Sequence, residues 1–364
     1  ESATYCPSVA KRVSPTLLIP TGGTSGQIKF TRHTWSTLLA SVVGFCQTFQ
    51  AHFSGEGSSL INSYCVLPLY HVSGLMQTLR SALSGGQIVL SSFKALESSP
   101  PLVSQPSDWF ISLVPTQLSR LLNAGQADWL SQFRAVLLGG APAWSTLLAE
   151  AQTQSIPLCL SYGMTETAAM VTVLSPQDFL QGRRGAGKAM PHATVQIEQA
   201  GQQVDVGEVG QVVIRSEAIA QNYYNTPSEQ FSDQTFYTDD LGYLDADGYF
   251  HITGRASEKI ISGGENIFPA EVEAALRKTN QVLDVCVLGL PHPDWGEVVV
   301  AVYVPVNETV SPATLKAALT HLSRYKHPKR WFSVSALPRN AQGKLNRSMV
   351  LEQLASLSSE SAQA

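Results

Sequence analysis

The chain has 364 residues, 44% of them hydrophobic, and a formal net charge of -4 at pH 7. That length suits about two domains of roughly 100–200 residues each, and mild acidity without long Lys or Arg runs excludes a dedicated nucleic-acid surface, which needs clustered cations to displace counterions. No stretch reaches the ~18–20 apolar residues of a membrane span, the N-terminus lacks a basic segment followed by an apolar run, and the scattered cysteines Cys6, Cys46, Cys65, Cys159 and Cys286 form no C-x-x-C pair.

The expectation is therefore a protein of a reducing cytoplasm, with no membrane span, no disulfide framework and no structural zinc. Up to about Leu174, apolar runs over 16–19, 87–90, 109–113 and 135–138 alternate with longer segments of helical spacing. Buried strands joined by helices predict a layered α/β domain. Short alternating strands over 195–197, 210–214 and 248–252, separated by Gly and Asp turns, then predict a β-rich subdomain. After Gly254-Arg255 the pattern becomes a helix over 269–276, strands over 285–288 and 298–304, a helix over 314–322 and a last helix over 349–354, a small α+β domain. Ser311-Pro312 opens the fourth of these elements, since a Ser side chain caps free amides and Pro fits a first turn. The polar tail over 356–364 is expected to be disordered. The chain shows no internal repeat.

Certain segments carry chemistry. Thr21-Gly22-Gly23-Thr24-Ser25-Gly26-Gln27-Ile28-Lys29 offers backbones that approach closely, hydroxyls that donate and a cation at its exit, as a phosphate-wrapping loop requires. No Gly-Lys-Ser/Thr ends it at Walker A spacing, so the P-loop reading is disfavoured; alone, such a loop is more often a solvated turn. Ser161-Tyr162-Gly163-Met164-Thr165-Glu166-Thr167 sets an aromatic face, a hydroxyl and a carboxylate in a row. Asn340-Ala341-Gln342-Gly343-Lys344 delivers a lone cation from far downstream.

Together these segments resemble the acyl-adenylate-forming superfamily, the acyl-CoA synthetases and their relatives, which convert a carboxylate to an AMP ester and then to a thioester. The resemblance implies a large AMP- and acid-binding domain over 1–257 and a small mobile cap over 258–364, with ATP, Mg2+ and CoA as partners. It assigns Thr21, Gly22, Gly23, Thr24, Ser25, Gly26 and Lys29 to the phosphates, and Gly139, Gly140 and Ala141 to a turn lining the adenine and acyl pockets. Ser161, Tyr162, Gly163 and Met164 line the nucleotide, with Tyr162 stacking on adenine; Thr165 bonds a phosphate oxygen and Glu166 holds Mg2+, which prefers few carboxylates plus substrate phosphates. Asp240 accepts from the ribose and Arg255 contacts the nucleotide. Glu258 is the hinge, Gly263 and Gly264 line the pantetheine path, and Lys344 relieves the repulsion between acyl carboxylate and α-phosphate. The chain departs from the superfamily pattern at Gly22 (usually Ser), Ile28 (Pro), Asp239 (Gly), Glu258 (Asp) and Lys259 (apolar).

Leu67-Pro68-Leu69-Tyr70-His71-Val72-Ser73-Gly74-Leu75 is similar to the acid-pocket segment of the 2-succinylbenzoate-CoA ligases of menaquinone and phylloquinone synthesis. His71 would border the reacting carboxylate, with Ser73 and Gly74 beside it, and Arg80 would meet the substrate's other carboxylate, because an unpaired charge in an apolar pocket is costly. A buried structural histidine and a surface arginine are the plainer readings of His71 and Arg80. The alternatives are an aryl- or fatty-acyl-CoA ligase, a carrier-charging adenylation domain, and a catalytically weak nucleotide-binding relic. The superfamily usually carries a further long segment before the phosphate loop, so a trimmed chain or a shortened N-terminal subdomain is expected. Homo-oligomerisation stays open.

Overall fold

The computed structural model describes residues 15–22, 28–52, 60–98, 105–339 and 345–360. A seven-stranded sheet runs in the order Ile88–Leu90, Asn62–Cys65, Trp109–Leu113, Ala135–Leu138, Leu158–Met164, Ala169–Val173, Lys188–Ala189. Its first five strands pair in parallel, and the last two pairings, to Ala169–Val173 and from it to Lys188–Ala189, are antiparallel. Successive side chains on a strand point to opposite faces, and both faces here are covered. Ile111, Val136, Leu138 and Leu160 enter one core with helical Leu118, Leu121 and Leu147. Phe110, Ala135, Leu137 and Cys159 enter a second core with Phe45 and Phe49 of the Trp35–His52 helix. That double burial is why these strands read as unbroken apolar runs. Truncating fully buried Phe110 to Ala would cost about 3–5 kcal/mol.

The 16–19 run does not join that sheet. Thr16–Gly22 pairs antiparallel with Ile28–Thr34, and Asn222–Tyr223 adds a third strand. The physical reason is chain length, because the link from Gly22 to Ile28 is far shorter than the dozen or so residues of a parallel crossover. Leu17 and Leu18 are accordingly exposed rather than buried.

The β-rich region is a six-stranded sheet built on Ala193–Gln199, Gly210–Ser216, Thr235–Leu244 and Phe250–Arg255. The chain leaves it at Arg255, makes the short turn Ala256–Glu258 and enters another sheet at Ile260. There Val282–His292 and Gly296–Pro305 form a long antiparallel pair, with the Pro269–Arg277 helix and the Arg347–Glu360 helix contributing to separate cores. Ser311 caps the Pro312–Ala317 helix, accepting from the Thr314 amide. The tail differs from expectation, since the last helix continues to Glu360 once its start is anchored by buried Val350 and Leu354. Residues 361–364 lie outside the description.

Candidate active site

Several motif segments follow the carboxyl ends of the parallel strands. Leu158–Met164 carries Ser161 to Met164, and the turn Thr165–Thr167 follows immediately. Tyr162 is only 7% exposed; its ring packs against Phe250, centroids 5.0 Å apart, and its hydroxyl donates to Asp240 Oδ2 at 2.7 Å. Arg255 Nε donates to Asp240 Oδ1 at 3.0 Å, across a register in which Asp240 and Arg255 are direct strand partners. Burial and the Asp240 charge push the Tyr162 phenol well above its ordinary range, so it stays a donor. Each Asp240 oxygen thus has one protein donor and keeps a lone pair for a further one.

Glu166 is 6% exposed and its Oε1 accepts from the Tyr223 hydroxyl at 2.8 Å. Lys29 Nζ lies 4.9 Å from the centroid of the Tyr223 ring. The other Glu166 oxygen has no hydrogen-bond partner among the described residues, an arrangement that fits a cation taking one protein carboxylate and completing its shell from phosphate and water. Among the described residues no group of three or more His, Cys, Asp or Glu is placed to hold a metal ion. The turn carries backbone strain, since Ala168 and Ala169 have φ of 49° and 83°, a region that costs a residue with a Cβ about 1–3 kcal/mol. Ser41 Oγ, donating to the Ala168 carbonyl at 2.6 Å, helps hold it.

Two residues in this construction have no place in the motif reading. Tyr223 anchors Glu166; the aromatic pair Tyr223-Tyr224 between asparagines was the available signal. His33 is fully buried, its Nε2 donating to the Thr165 carbonyl at 2.7 Å and its Nδ1 accepting from Thr37 Oγ1 at 2.9 Å. Desolvation holds its pKa down at about 4, against a smaller upward pull from the Thr165 bond, so the ring is neutral and the Nε2-H tautomer fits both contacts. No local pattern marks it.

Gly139, Gly140 and Ala141 follow the Ala135–Leu138 strand. A Cβ on Gly139 would meet Ser161 Oγ at 2.8 Å, which puts this turn against the segment that begins at Ser161. Gly163 is fixed by packing as well, because a Cβ there would stand 2.0 Å from the Ala169 carbonyl oxygen. Thr21 is half-buried, Gly22 exposed, and Gly23, Thr24, Ser25 and Gly26 lie outside the described residues.

His71 precedes the Val72–Ser84 helix at its N-cap and is half-buried, its ring 4.6 Å from that of exposed Tyr70. Ser73 is exposed, and Gly74 packs so tightly on Pro68 that a Cβ would lie 2.3 Å from its carbonyl oxygen. The helix ends on Gly85 in the left-handed region, with the Gly86 amide returning to the Ser81 carbonyl. Arg80 is no surface residue. It is 3% exposed, with Nε and Nη2 unpartnered, and its guanidinium lies 4.1 Å from the centroid of the Phe45 ring. Burial pushes its pKa down to about 9.

At the segment joining the sheets, Glu258 Oε2 meets Arg347 Nε at 3.0 Å, and Arg347 Nη2 meets Glu273 at 2.9 Å. Burial raises the Glu258 carboxyl more than Arg347 lowers it. Asp239, standing in a customary glycine position, accepts from the Ser257 amide at 3.1 Å and so ties the β-rich sheet to this segment. The Gly263 and Gly264 pair, φ 60° and 84°, makes the tight hairpin between Ile260–Ser262 and Glu265–Ile267. Arg277 of the small domain lies 5.5 Å from the Trp144 ring centroid of the large one, and shares Asp284 with Arg339 at 2.9 and 2.6 Å. Lys344 lies outside the described residues, between the bridged partners Arg339 and Leu345.

The arrangement therefore gathers a buried carboxylate, a second carboxylate held by two donors, fixed phenols and two cations near the carboxyl ends of the parallel strands, where ligands of α/β proteins bind. The family model for the AMP-binding enzyme matches residues 4–224, and that for its C-terminal domain residues 271–344. A 2-succinylbenzoate--CoA ligase of Oceanobacillus iheyensis is 35% identical over 317 residues, 83% of this chain and 65% of the relative. The o-succinylbenzoate CoA synthetase of Bacillus subtilis in complex with the acyl-adenylate intermediate OSB-AMP superposes with a TM-score of 0.81 at 33% identity, covering 92% of this chain and 68% of that one. Its complex with ATP and magnesium ion gives 0.80 at 32%, covering 91% and 68%. The chain spans about two thirds of the length of these relatives. On this ground, with family models matched across both of its halves, the chain belongs to the AMP-binding enzyme family.

Proposed function

We propose that the chain is an AMP-forming acid-CoA ligase that activates 2-succinylbenzoate with ATP and transfers it to CoA, a step of menaquinone or phylloquinone synthesis carried out in the cytoplasm. The observation that carries the choice of acid is Arg80, a buried guanidinium with an open hydrogen-bonding edge in the helix that His71 precedes. A dicarboxylate supplies the anion this cation lacks; a fatty acid or benzoate does not.

In the first step a carboxylate oxygen of the acid bonds to the α-phosphorus of ATP, and the bond from that phosphorus to the bridging oxygen breaks, pyrophosphate leaving with the electron pair. Lys344 would offset the repulsion between the two anions, as Lys29 would for the departing phosphates. Glu166, oriented by Tyr223, would hold Mg2+, which supplies charge neutralisation for the leaving group. Asp240 accepts from the ribose while Tyr162 and Arg255 fix its carboxylate. In the second step the CoA sulfur bonds to the acyl carbon, AMP leaves, and the thiol proton passes to solvent. Rotation of residues 258–364 about Glu258 withdraws Lys344 and presents Gly263 and Gly264.

The test is acid-dependent pyrophosphate release with 2-succinylbenzoate, benzoate and a medium-chain fatty acid. The reading expects the first to be preferred by at least about tenfold in kcat/KM, the scale of one charged hydrogen-bonded contact. A preference for either monocarboxylate moves the assignment to an aryl- or fatty-acyl-CoA ligase. Nucleotide binding without release in any arm leaves a relic.

A further inference from the structure

We propose that His192 completes the site for the substrate's distal carboxylate, a ring N–H donating to one carboxylate oxygen while Arg80 holds the group side-on. The inference rests on the ligase reading above and adds a specificity residue to it.

Arg80 is sealed in the core without an anion. Its unpartnered atoms are Nε and Nη2, the two that form one edge of the guanidinium and match a carboxylate bidentately. The Phe45 ring beneath it fixes the plane of that edge. Among the described residues it makes no ion pair, and its remaining charge-bearing neighbour is Cys46, a thiol that burial keeps protonated.

His192 comes to the same place from a distant part of the chain. Its backbone is fixed in the β-rich region: its carbonyl accepts from Ser216 Oγ at 2.6 Å, and the flanking Met190 and Ala193 amides bond to Val171 and Met190. Its ring lies on the Trp35–His52 helix at Gly44, so closely that a Cβ there would stand 1.8 Å from Nδ1. Only glycine leaves room for the imidazole. Both ring nitrogens are buried without a hydrogen-bond partner; the Met170 carbonyl lies near enough to favour the charged ring but makes no bond of normal geometry. Burial, and then the Arg80 charge, hold its pKa down at about 4, so the ring is neutral and within electrostatic reach of the guanidinium.

Buried polar groups almost always have partners, and two orphans held on neighbouring residues of one helix, Gly44 and Phe45, are both satisfied by one ligand that reaches the two. A carboxylate does so. Water would satisfy His192 but leave the guanidinium charge unbalanced. The ligand class is thus a dicarboxylic acid whose far end is an anion.

The experiment measures kcat and KM for acid-dependent pyrophosphate release with 2-succinylbenzoate and with benzoylpropionate, which lacks the ring carboxylate. His192→Ala is expected to raise KM for 2-succinylbenzoate about tenfold with kcat within about twofold, and to leave benzoylpropionate unchanged. His192→Asn, which keeps a donor, should recover part of the loss, and Gly44→Ala, which drives a methyl into the ring's place, should reproduce it. If the wild type discriminates between the acids and His192→Ala discriminates equally well, this inference is overturned and the ligase reading stands. If the wild type releases pyrophosphate with neither acid, the ligase reading fails and takes the inference with it.

Discussion

Replacing His33 with Gln removes a titrating ring from under the Glu166 turn while leaving a side-chain amide able to donate to the Thr165 carbonyl. In the folded protein His33 titrates at about 4, against 6.5 for an unburied ring. The unfolded chain therefore takes up the proton first, so stability is full above about pH 6.5, falls as the pH drops through the window down to about 4, and levels off below it. Between pH 8 and pH 5 the loss from this single group is roughly 2 kcal/mol, and it approaches about 3 kcal/mol at still lower pH. Urea unfolding followed by tryptophan fluorescence, run at both pH values on wild type and His33→Gln, isolates the effect, because His192, also held at about 4, titrates identically in the two proteins. The variant is expected to lie within about 1 kcal/mol of wild type at pH 8 and to lose about 2 kcal/mol less on going to pH 5. Parallel pH profiles for the two proteins would refute the argument that a neutral His33 holds the turn.

Lys344→Ala should abolish acyl-AMP formation while thioester formation from supplied acyl-AMP is much less affected; single-turnover assays of the two half-reactions check this, and equal loss of both would refute the division of labour. Arg347→Met leaves Glu258 and Glu273 facing each other without their shared cation, and is expected to cost about 3 kcal/mol in urea unfolding. Adding Glu258→Gln to that variant should recover part of the loss, which a simple packing defect would not allow. Gly163→Ala forces a methyl to within 2.0 Å of the Ala169 oxygen and 2.5 Å of the Met170 Cα, so the strand pair beside Glu166 must part; a loss of about 3 kcal/mol is expected in the same assay.

The parallel strands were legible because both faces of each are buried, which leaves apolar runs such as Ala135–Leu138 unbroken. The Thr16 run has the same look, but a short apolar run does not say which sheet receives it; loop length does, and it makes a hairpin. At the site, the motif segments named Tyr162, Glu166, Asp240 and Arg255, and the fold brings the first, third and fourth into direct hydrogen bonding. What holds Glu166 was not legible, since Tyr223 lies 57 residues from it and His33 lies 132 residues from Thr165. Such contacts are set by sheet packing and leave no periodic trace. For Arg80 the sequence left a pocket cation and a surface one both open; the fold buries it, with Phe45 beneath its guanidinium. His192 carried no signal at all, as its neighbourhood is made by Gly44 on a distant helix.

The central claim is that this pocket joins a carboxylate to AMP. Incubating the chain with ATP, Mg2+ and 2-succinylbenzoate in the absence of CoA, then analysing the quenched mixture by mass spectrometry, tests it most directly. The account predicts an acyl-adenylate formed in step with pyrophosphate and consumed to a thioester when CoA is added. Unchanged ATP, or AMP appearing equally with and without the acid, would contradict it.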